Sequence, residues 1–258
     1  MMAEPAARAI FLLGGSSDIA VATMRRLDEP GTLLLAHCRD AGKLEAGKLE
    51  ALARELRQAT LEPFVAELGA QADLGALGTR IEARLRTAGR AELDGIVIAA
   101  APPPRSERFH KKPWDDFAAH WQVQLRAPAL LLQRLLPPMA KAKRGRVVFV
   151  ASSYTLGAVP AGLADYVIAK HAQLGLMRAL ATEYAGKNLQ INAVSPSMVE
   201  TAFLAHVPRI VVEMNADKSP LKRNARPEDV APVIQFLLFD GAGYVTGANI
   251  PVTGGASS

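Results

Sequence analysis

Short runs of branched and leucine-rich apolar residues recur along the chain, and between them lie longer stretches in which apolar positions return every three to four residues. The first pattern belongs to strands buried on both faces, the second to amphipathic helices. Strands are predicted at Ala9 to Leu13, Thr32 to Ala36, Glu62 to Ala66, Gly95 to Ala99, Arg146 to Ala151, Gln190 to Val194 and Asn249 to Val252. Helices are predicted near 18–28, 41–58, 70–88, 113–136, 163–185 and 227–238, with Pro113 and Pro227 placed where a helix tolerates proline, at its start. Strict alternation of the two predicts an α/β fold, a doubly wound parallel seven-stranded sheet with helices on both faces. No linker divides the chain, so residues 1–258 are expected to form one domain.

Two segments stand outside this alternation. Residues 100–113 carry Pro102, Pro103 and Pro104, and residues 197–222 contain Phe203, His206, Pro208 and Met214. Both follow strand C-termini, the edge of an open parallel sheet where ligands sit, so they are expected to wall the substrate site, with 197–222 as its specificity loop. A tandem pentapeptide, Ala41 to Glu45 followed by Ala46 to Glu50, reads as a small duplication. Five residues turn a helix by about 500°, so the copies present different faces, and Gly42 and Gly47 weaken helicity. An exposed, frayed helix start without function is expected there.

Composition narrows the setting. Half of the 258 residues are apolar and the net charge is +5. The basic residues are scattered and aromatic residues make up only 5%, which argues against a nucleic-acid interface. Leu130 to Leu136 is interrupted by Gln133 and Arg134, so no membrane partner is expected. Cys38 is the one cysteine, which excludes an internal disulfide and suits a reducing, cytoplasmic compartment. The apolar stretch Ile10 to Leu13 is short and runs into Gly14-Gly15-Ser16-Ser17-Asp18, as a buried strand does and a signal peptide does not. The histidines, His37, His110, His120, His171 and His206, show no metal-ligand spacing, so no metal is expected. The run His110-Lys111-Lys112, with Lys141, Lys143, Arg144 and Arg146, is expected to be solvated surface. Leu130, Leu131, Leu135, Leu136 and Met139 form a stripe suited to core or subunit interface.

Two constellations carry chemistry. Gly14 to Ala20 follows the first strand and opens the first helix, where backbone amides and the helix dipole can bind a pyrophosphate. By themselves the leading glycines also suit an ordinary turn. Tyr166 and Lys170 lie four apart on one helical face, and Ser153 sits just past the fifth strand, so the three can converge on one carbonyl. A phenol titrates near ~10, and exchanging protons near neutrality calls for a pKa lowered by about 2–3, which a close lysine ammonium can supply.

With these residues in place the chain resembles the short-chain dehydrogenase/reductases, in the branch with Tyr-x-x-x-Lys, and in particular 3-oxoacyl-[acyl-carrier-protein] reductases. Leu12 to Ala20 is similar to the family's T-G-x-x-x-G-x-G turn, and Leu93-Asp94-Gly95-Ile96-Val97 to the lead-in of its N-N-A-G strand. Val150-Ala151-Ser152-Ser153 carries a serine thirteen residues before Tyr166, Ile191 to Pro196 resembles N-x-V-x-P-G, and Pro227 to Ala231, Thr246-Gly247 and Gly254-Gly255 resemble the C-terminal signature. The resemblance implies a Rossmann-type fold. It also implies Tyr166 as general acid in reduction and base in oxidation, Lys170 holding the nicotinamide ribose and lowering the tyrosine pKa, and Ser153 polarising the carbonyl. Gly14, Ser16, Ser17, Asp18, Ile19, Glu67, Ala99, Ala100, Tyr166, Lys170, Pro196, Val199 and Thr201 would contact the cofactor, and a homotetramer would form.

Departures from the family pattern are Leu13 for its threonine, Asp18 and Ala20 for its later glycines, Ile98 to Ala101 for N-N-A-G, and Ser197 for the P-G glycine. Asp18 would repel phosphates if it faced them, and is expected instead to cap the first helix. The family's fourth catalytic residue, an asparagine holding a proton-relay water, falls on Gln124, which keeps the amide and is expected to order the relay still. At the second strand's tip Arg39 offers a guanidinium to a 2′-phosphate, which favours NADP(H), while Asp40 beside it keeps NAD(H) open. The resulting expectation is an NADPH-dependent reductase of a ketone or acyl thioester, the thioester carried on acyl-carrier protein if the basic run is a docking patch. Two rivals are an enoyl reductase, disfavoured because that group places six residues between tyrosine and lysine, and a non-catalytic member that binds a nucleotide or a protein.

Overall fold

The computed structural model describes residues 8–40, 46–205 and 207–256. Its strands are β1 (Ala9–Leu13), β2 (Leu33–Cys38), β3 (Thr60–Val65), β4 (Gly95–Ile98), β5 (Gly145–Val150), β6 (Leu189–Pro196) and β7 (Asn249–Val252). All pair in parallel in the order β3-β2-β1-β4-β5-β6-β7. The five inner strands are buried almost throughout, which is why they read as unbroken apolar runs. Proline appears in the sheet only as Pro63 and Pro251 in the two edge strands and as Pro196 at the end of β6, where a missing N–H costs least.

The helices are α1 (Asp18–Arg26), α2 (Ala46–Glu55), α3 (Gln71–Thr87), α4 (Trp114–Trp121), α5 (Ala127–Ala142), α6 (Ala164–Tyr184), α7 (Arg209–Lys218) and α8 (Pro227–Leu238). One face of the sheet packs Phe11, Ile96 and Phe149 against Leu77 and Ile81 of α3, Leu131 and Leu135 of α5 and Met177 of α6. The other packs Leu12, Val97 and Val148 against Met24 of α1, Leu52 of α2 and Ile234 of α8. Each fully buried Leu, Ile or Phe contributes about 1.5–3 kcal/mol from burial, so these two layers fix which strand ends lie side by side. The stripe on α5 is core at Leu131, Leu135, Leu136 and Met139, and Leu130 packs against its edge.

The strand order reverses between β1 and β4, so the chain leaves those two neighbours in opposite directions and opens a crevice at their carboxyl ends. Three elements differ from the sequence expectation. The helix expected to stop at 136 runs on to Ala142, with Pro137 and Pro138 inside it, Pro137 on the exposed face. Within 197–222 a helix, α7, forms without burying any residue fully, which is why apolar periodicity did not reveal it. α2 contains the second pentapeptide copy, while the first copy, 41–45, and His206 lie outside the described residues.

Candidate active site

The glycine turn closes directly over the crevice. Gly14 has φ +81°, and a Cβ there would stand 2.5 Å from the backbone nitrogen of Ala100, so glycine is required both for the backbone angle and for contact with the end of β4. The Gly14 amide donates to His37 Nδ1 at 3.2 Å and the Gly15 amide to the His37 carbonyl at 2.7 Å. Because Nδ1 accepts, the imidazole hydrogen is on Nε2, where it meets the Ala66 carbonyl at 3.0 Å. The buried His37 thus ties the turn to the tips of β2 and β3. Ser17, whose Oγ accepts from the Ala20 amide at 3.3 Å, caps α1. This corrects the expectation for Asp18. It lies in the first helical turn and pairs with Lys48 of α2, while its other oxygen accepts the Ala202 amide at 2.8 Å. Asp18 therefore fastens the glycine turn to the 197–222 segment, and its carboxylate is already compensated.

Two adjacent serines follow β5. Ser152 is buried, its Oγ accepting the Tyr154 amide at 3.3 Å, and its side chain acts to lower the Tyr166 pKa; Ser153 begins the short 3₁₀ turn Ser153–Thr155 and is only half-buried. Four residues after Tyr166, Lys170 is equally buried, but its Nζ donates to the Val150 carbonyl at 2.7 Å and to Gln173 Oε1 at 3.2 Å and stands 5.6 Å from the Tyr166 ring centre. Burial pushes the Tyr166 phenol up to about 12, with Ser152 pulling the other way, and pushes Lys170 down to about 7. This direction is opposite to the lowered tyrosine pKa expected: burial is the largest influence on the phenol, and the Lys170 ammonium is turned to a carbonyl. Phe203 from the 197–222 segment and His120 from α4 lie against the Tyr166 ring, at 6.3 and 5.7 Å between centres.

Gln124 is fully buried in a widened turn, Gln122–Arg126, between α4 and α5, where the Ala127 amide reaches back to the Gln122 carbonyl. Pro128 has no N–H for the carbonyl four residues before it, that of Gln124, and this sequence signal marks the break in α-helical bonding. The Gln124 amide nitrogen is 2.7 Å from His120 Nδ1. Beyond His120 stands a buried pair that sequence inspection missed. Lys112 Nζ lies 2.9 Å from Asp165 Oδ2, both side chains wholly removed from solvent, and also donates to the Arg105 carbonyl. Lys112 is therefore not solvated surface, as its basic neighbours had suggested. Asp165 adjoins Tyr166 in the sequence, but an acidic residue at a helix start reads as an ordinary first-turn charge.

The remaining candidates border the same edge. Arg39 lies just past β2, 60% exposed at its side chain, with its Nε 3.9 Å from Asp40. Ala99 and Ala100 follow β4 against the glycine turn, and Pro196 ends β6. Val199 is buried, bridging in parallel to Ala225, and its carbonyl accepts from Thr201. Ser16 and Ile19 occupy the turn and the first turn of α1. Glu67 turns its carboxylate to the Gly69 amide, 3.1 Å away, on its own loop. Among the described residues no group of three or more His, Cys, Asp or Glu could hold a metal, and no helix is long and apolar enough to cross a membrane.

A family model described as enoyl-(acyl carrier protein) reductase matches residues 14–257. The chain belongs to the short-chain dehydrogenase/reductase family. Among its relatives, the 3-oxoacyl-[acyl-carrier-protein] reductase of Thermotoga maritima is 28% identical over 247 residues, 95% of this chain and 96% of that protein. The acetoacetyl-CoA reductase of Allochromatium vinosum is 28% identical over 253 residues, 96% and 98% of the two chains. Among solved structures, levodione reductase superposes with a TM-score of 0.88 at 27% identity, covering 97% of each chain. Membership makes this protein an NAD(P)-dependent dehydrogenase/reductase. The residues present fit such a cofactor: the Gly14 contact with Ala100 leaves no room for a side chain, and the first-turn amides of α1 have no carbonyl one turn back.

Proposed function

We propose that this short-chain dehydrogenase/reductase reduces a ketone, of the 3-oxoacyl thioester class, to a secondary alcohol with NADPH. The observation that carries the proposal is the buried Tyr166 phenol, held protonated across the neutral range, with the buried Ser152 side chain acting to lower its pKa and Lys170 one helical turn away. A reduced dinucleotide with its pyrophosphate at the glycine turn would supply the hydride. Tyr166 gives its proton to the substrate oxygen as negative charge develops there, which a phenol with a raised pKa does readily because an alkoxide is more basic than a phenolate. Ser152, in the role first expected of Ser153, donates a hydrogen bond to the same oxygen. Lys170, anchored by Val150 and Gln173, would hold the ribose side of the site, and Gln124 would hold a water through which the Tyr166 proton is restored.

The names of the relatives, acting on 3-oxoacyl and acetoacetyl thioesters, support the substrate class. Three residues intervene between Tyr166 and Lys170, the carbonyl-reducing spacing rather than that of the enoyl group named in the family model's description. Arg39 at the tip of β2 supports NADPH. Gly14, Ser16, Ser17, Ile19, Ala99, Ala100, Pro196, Val199 and Thr201 would line the cofactor, with 197–222 as the substrate wall. Exposed Phe109, in the short turn before α4, and Trp114 and Trp121 on α4 suit a homotetramer contact, and the assembly would work in the cytoplasm on free or carrier-bound thioesters. Titration of the purified protein with NADPH and NADH, followed by turnover of acetoacetyl thioesters, tests the proposal. NADPH should bind more tightly and Tyr166→Phe should abolish turnover while cofactor affinity holds. Near-native turnover in that variant would place the proton donor elsewhere, and binding of neither dinucleotide would overturn the proposal.

A further inference from the structure

His120, Asp165 and Lys112 form a buried chain that ends on Gln124, and none of the three has a part in the chemistry above. Its chemistry is fixed by donor and acceptor counting. The Gln124 amide nitrogen can only donate, so His120 Nδ1, at 2.7 Å, must accept. The imidazole hydrogen is then on Nε2, which faces Asp165 Oδ2 at 3.6 Å. The opposite arrangement, with hydrogen on Nδ1 and Gln124 Oε1 accepting it, would turn the Nε2 lone pair onto a carboxylate. That is unfavourable in a site where both side chains are at most 3% exposed. Asp165 is in turn held by Lys112, which also faces Asp116 at 3.9 Å, so the carboxylate cannot rotate away. Among the described residues Gln124 Oε1 is then a fully buried acceptor with no partner.

We propose that His120 is a positioning residue that fixes the polarity of Gln124, so that Gln124 presents its carbonyl oxygen, an acceptor, to the proton path serving Lys170 and Tyr166. The inference rests on the proposed function only for what the acceptor is used for. The extra methylene of glutamine, relative to the family's asparagine, lets the amide reach His120 and be clamped. Protonation of His120 reverses the clamp: Nδ1–H becomes a donor, Gln124 turns its oxygen to it, and an NH₂ group is presented instead. The groups facing His120 are Asp165 and Asp116, which favour the cation, Lys112 and Lys170, which oppose it, and the uncharged Tyr166 ring and Gln124 amide. Burial is the largest influence and holds His120 below the ordinary histidine range, so the acceptor form prevails at neutral pH.

Nitrogen NMR of the native protein, with the His120 signals assigned by their loss in His120→Asn, reads the tautomer directly; steady-state turnover then reads its use. Hydrogen on Nε2 and a bare Nδ1 are expected at neutral pH. His120→Leu removes the acceptor and leaves the Lys112–Asp165 pair in place; its kcat should fall about tenfold or more while the NADPH Kd and the unfolding midpoint stay near native. His120→Asn, whose side-chain oxygen sits near the Nδ1 position and cannot become a cation, should restore most of kcat and lose the acid limb of the pH profile. Hydrogen on Nδ1 overturns the inference, as does a His120→Leu enzyme with native kcat and native pH profile. If the native protein turned over no carbonyl compound, the functional proposal would fail, and the NMR result would still decide the clamp.

Discussion

Ser152→Ala and Ser153→Ala, made side by side, separate the structure from the sequence motif. Ser152 has two jobs. Its Oγ accepts the Tyr154 amide at 3.3 Å, capping the 3₁₀ turn, and the same side chain acts to lower the Tyr166 pKa. Loss of a cap costs about 1 kcal/mol of stability. Loss of one preorganised donor to a developing oxyanion costs about 10²–10³ in kcat, or roughly 2.7–4 kcal/mol. Because Ser152 also lowers the Tyr166 pKa, Ser152→Ala should move the alkaline limb of ketone reduction, where the proton donor is lost, to higher pH. Ser153 begins the 3₁₀ turn and is only half-buried, and its substitution should change kcat by no more than about twofold. The assay is NADPH oxidation with a saturating acetoacetyl thioester across a pH series, with the unfolding midpoint measured in parallel to separate cap from chemistry. Ser152→Thr keeps the hydroxyl and should recover much of the loss. A hundredfold loss in Ser153→Ala with a near-native Ser152→Ala would refute the assignment.

Three further outcomes follow from the same geometry. Gly14→Ala forces an L side chain to φ +81°, at about 1–2 kcal/mol, and drives a methyl into the Ala100 backbone; the unfolding midpoint should drop by several degrees and the NADPH Kd rise tenfold or more, whereas an unchanged Kd would dismiss the cradle. With Lys170 held near 7 in the fold and lysine near 10.4 when unfolded, the unfolded chain binds the extra proton between those values. The cofactor-free protein should therefore gain stability as pH rises from about 7 to 10, on the order of 3–5 kcal/mol at most, and denaturant curves of Lys170→Met should lack that gain; parallel pH dependence would contradict the buried ammonium. Asp18→Asn keeps an acceptor for the Ala202 amide but loses the half-exposed Lys48 pair, so its stability should change by under about 1 kcal/mol, while Asp18→Ala should also raise the ketone KM. Equal KM values in the two variants would remove the fastening role.

What could be read from the sequence was whatever depends on neighbours along the chain. Buried parallel strands announce themselves as apolar runs, and the glycine turn and the Tyr166/Lys170 pair as fixed short spacings, so the sheet and its active edge were legible. The features that local spacing does not decide depend on which of two adjacent or distant groups wins a contact. Spacing pointed to Ser153, thirteen positions before Tyr166, while in the fold that residue begins the 3₁₀ turn and it is the buried Ser152 that acts on the Tyr166 pKa. Asp18 had the composition of a cap, yet Ser17 lies one residue nearer the turn and takes the amide, freeing the carboxylate for partners 30 and 184 residues away. Lys112 read as part of a basic surface run because its counter-ion, Asp165, is 53 residues distant.

The same reasoning bears on why this chain tolerates departures from its family at the site. Two of the altered positions, Asp18 and Gln124, are each compensated by a second residue that no short motif contains. Asp18 in place of a glycine brings a charge to the edge of the phosphate site, and Lys48 neutralises it. Gln124 in place of asparagine brings an extra methylene, and His120 and Asp165 fix where its amide points. A buried amide that could flip would present donor and acceptor at random, and a proton path needs one of them. Accumulated departures at short motifs therefore argue against catalysis only when the compensating partners are missing, and here the fold brings them within 3.6 Å.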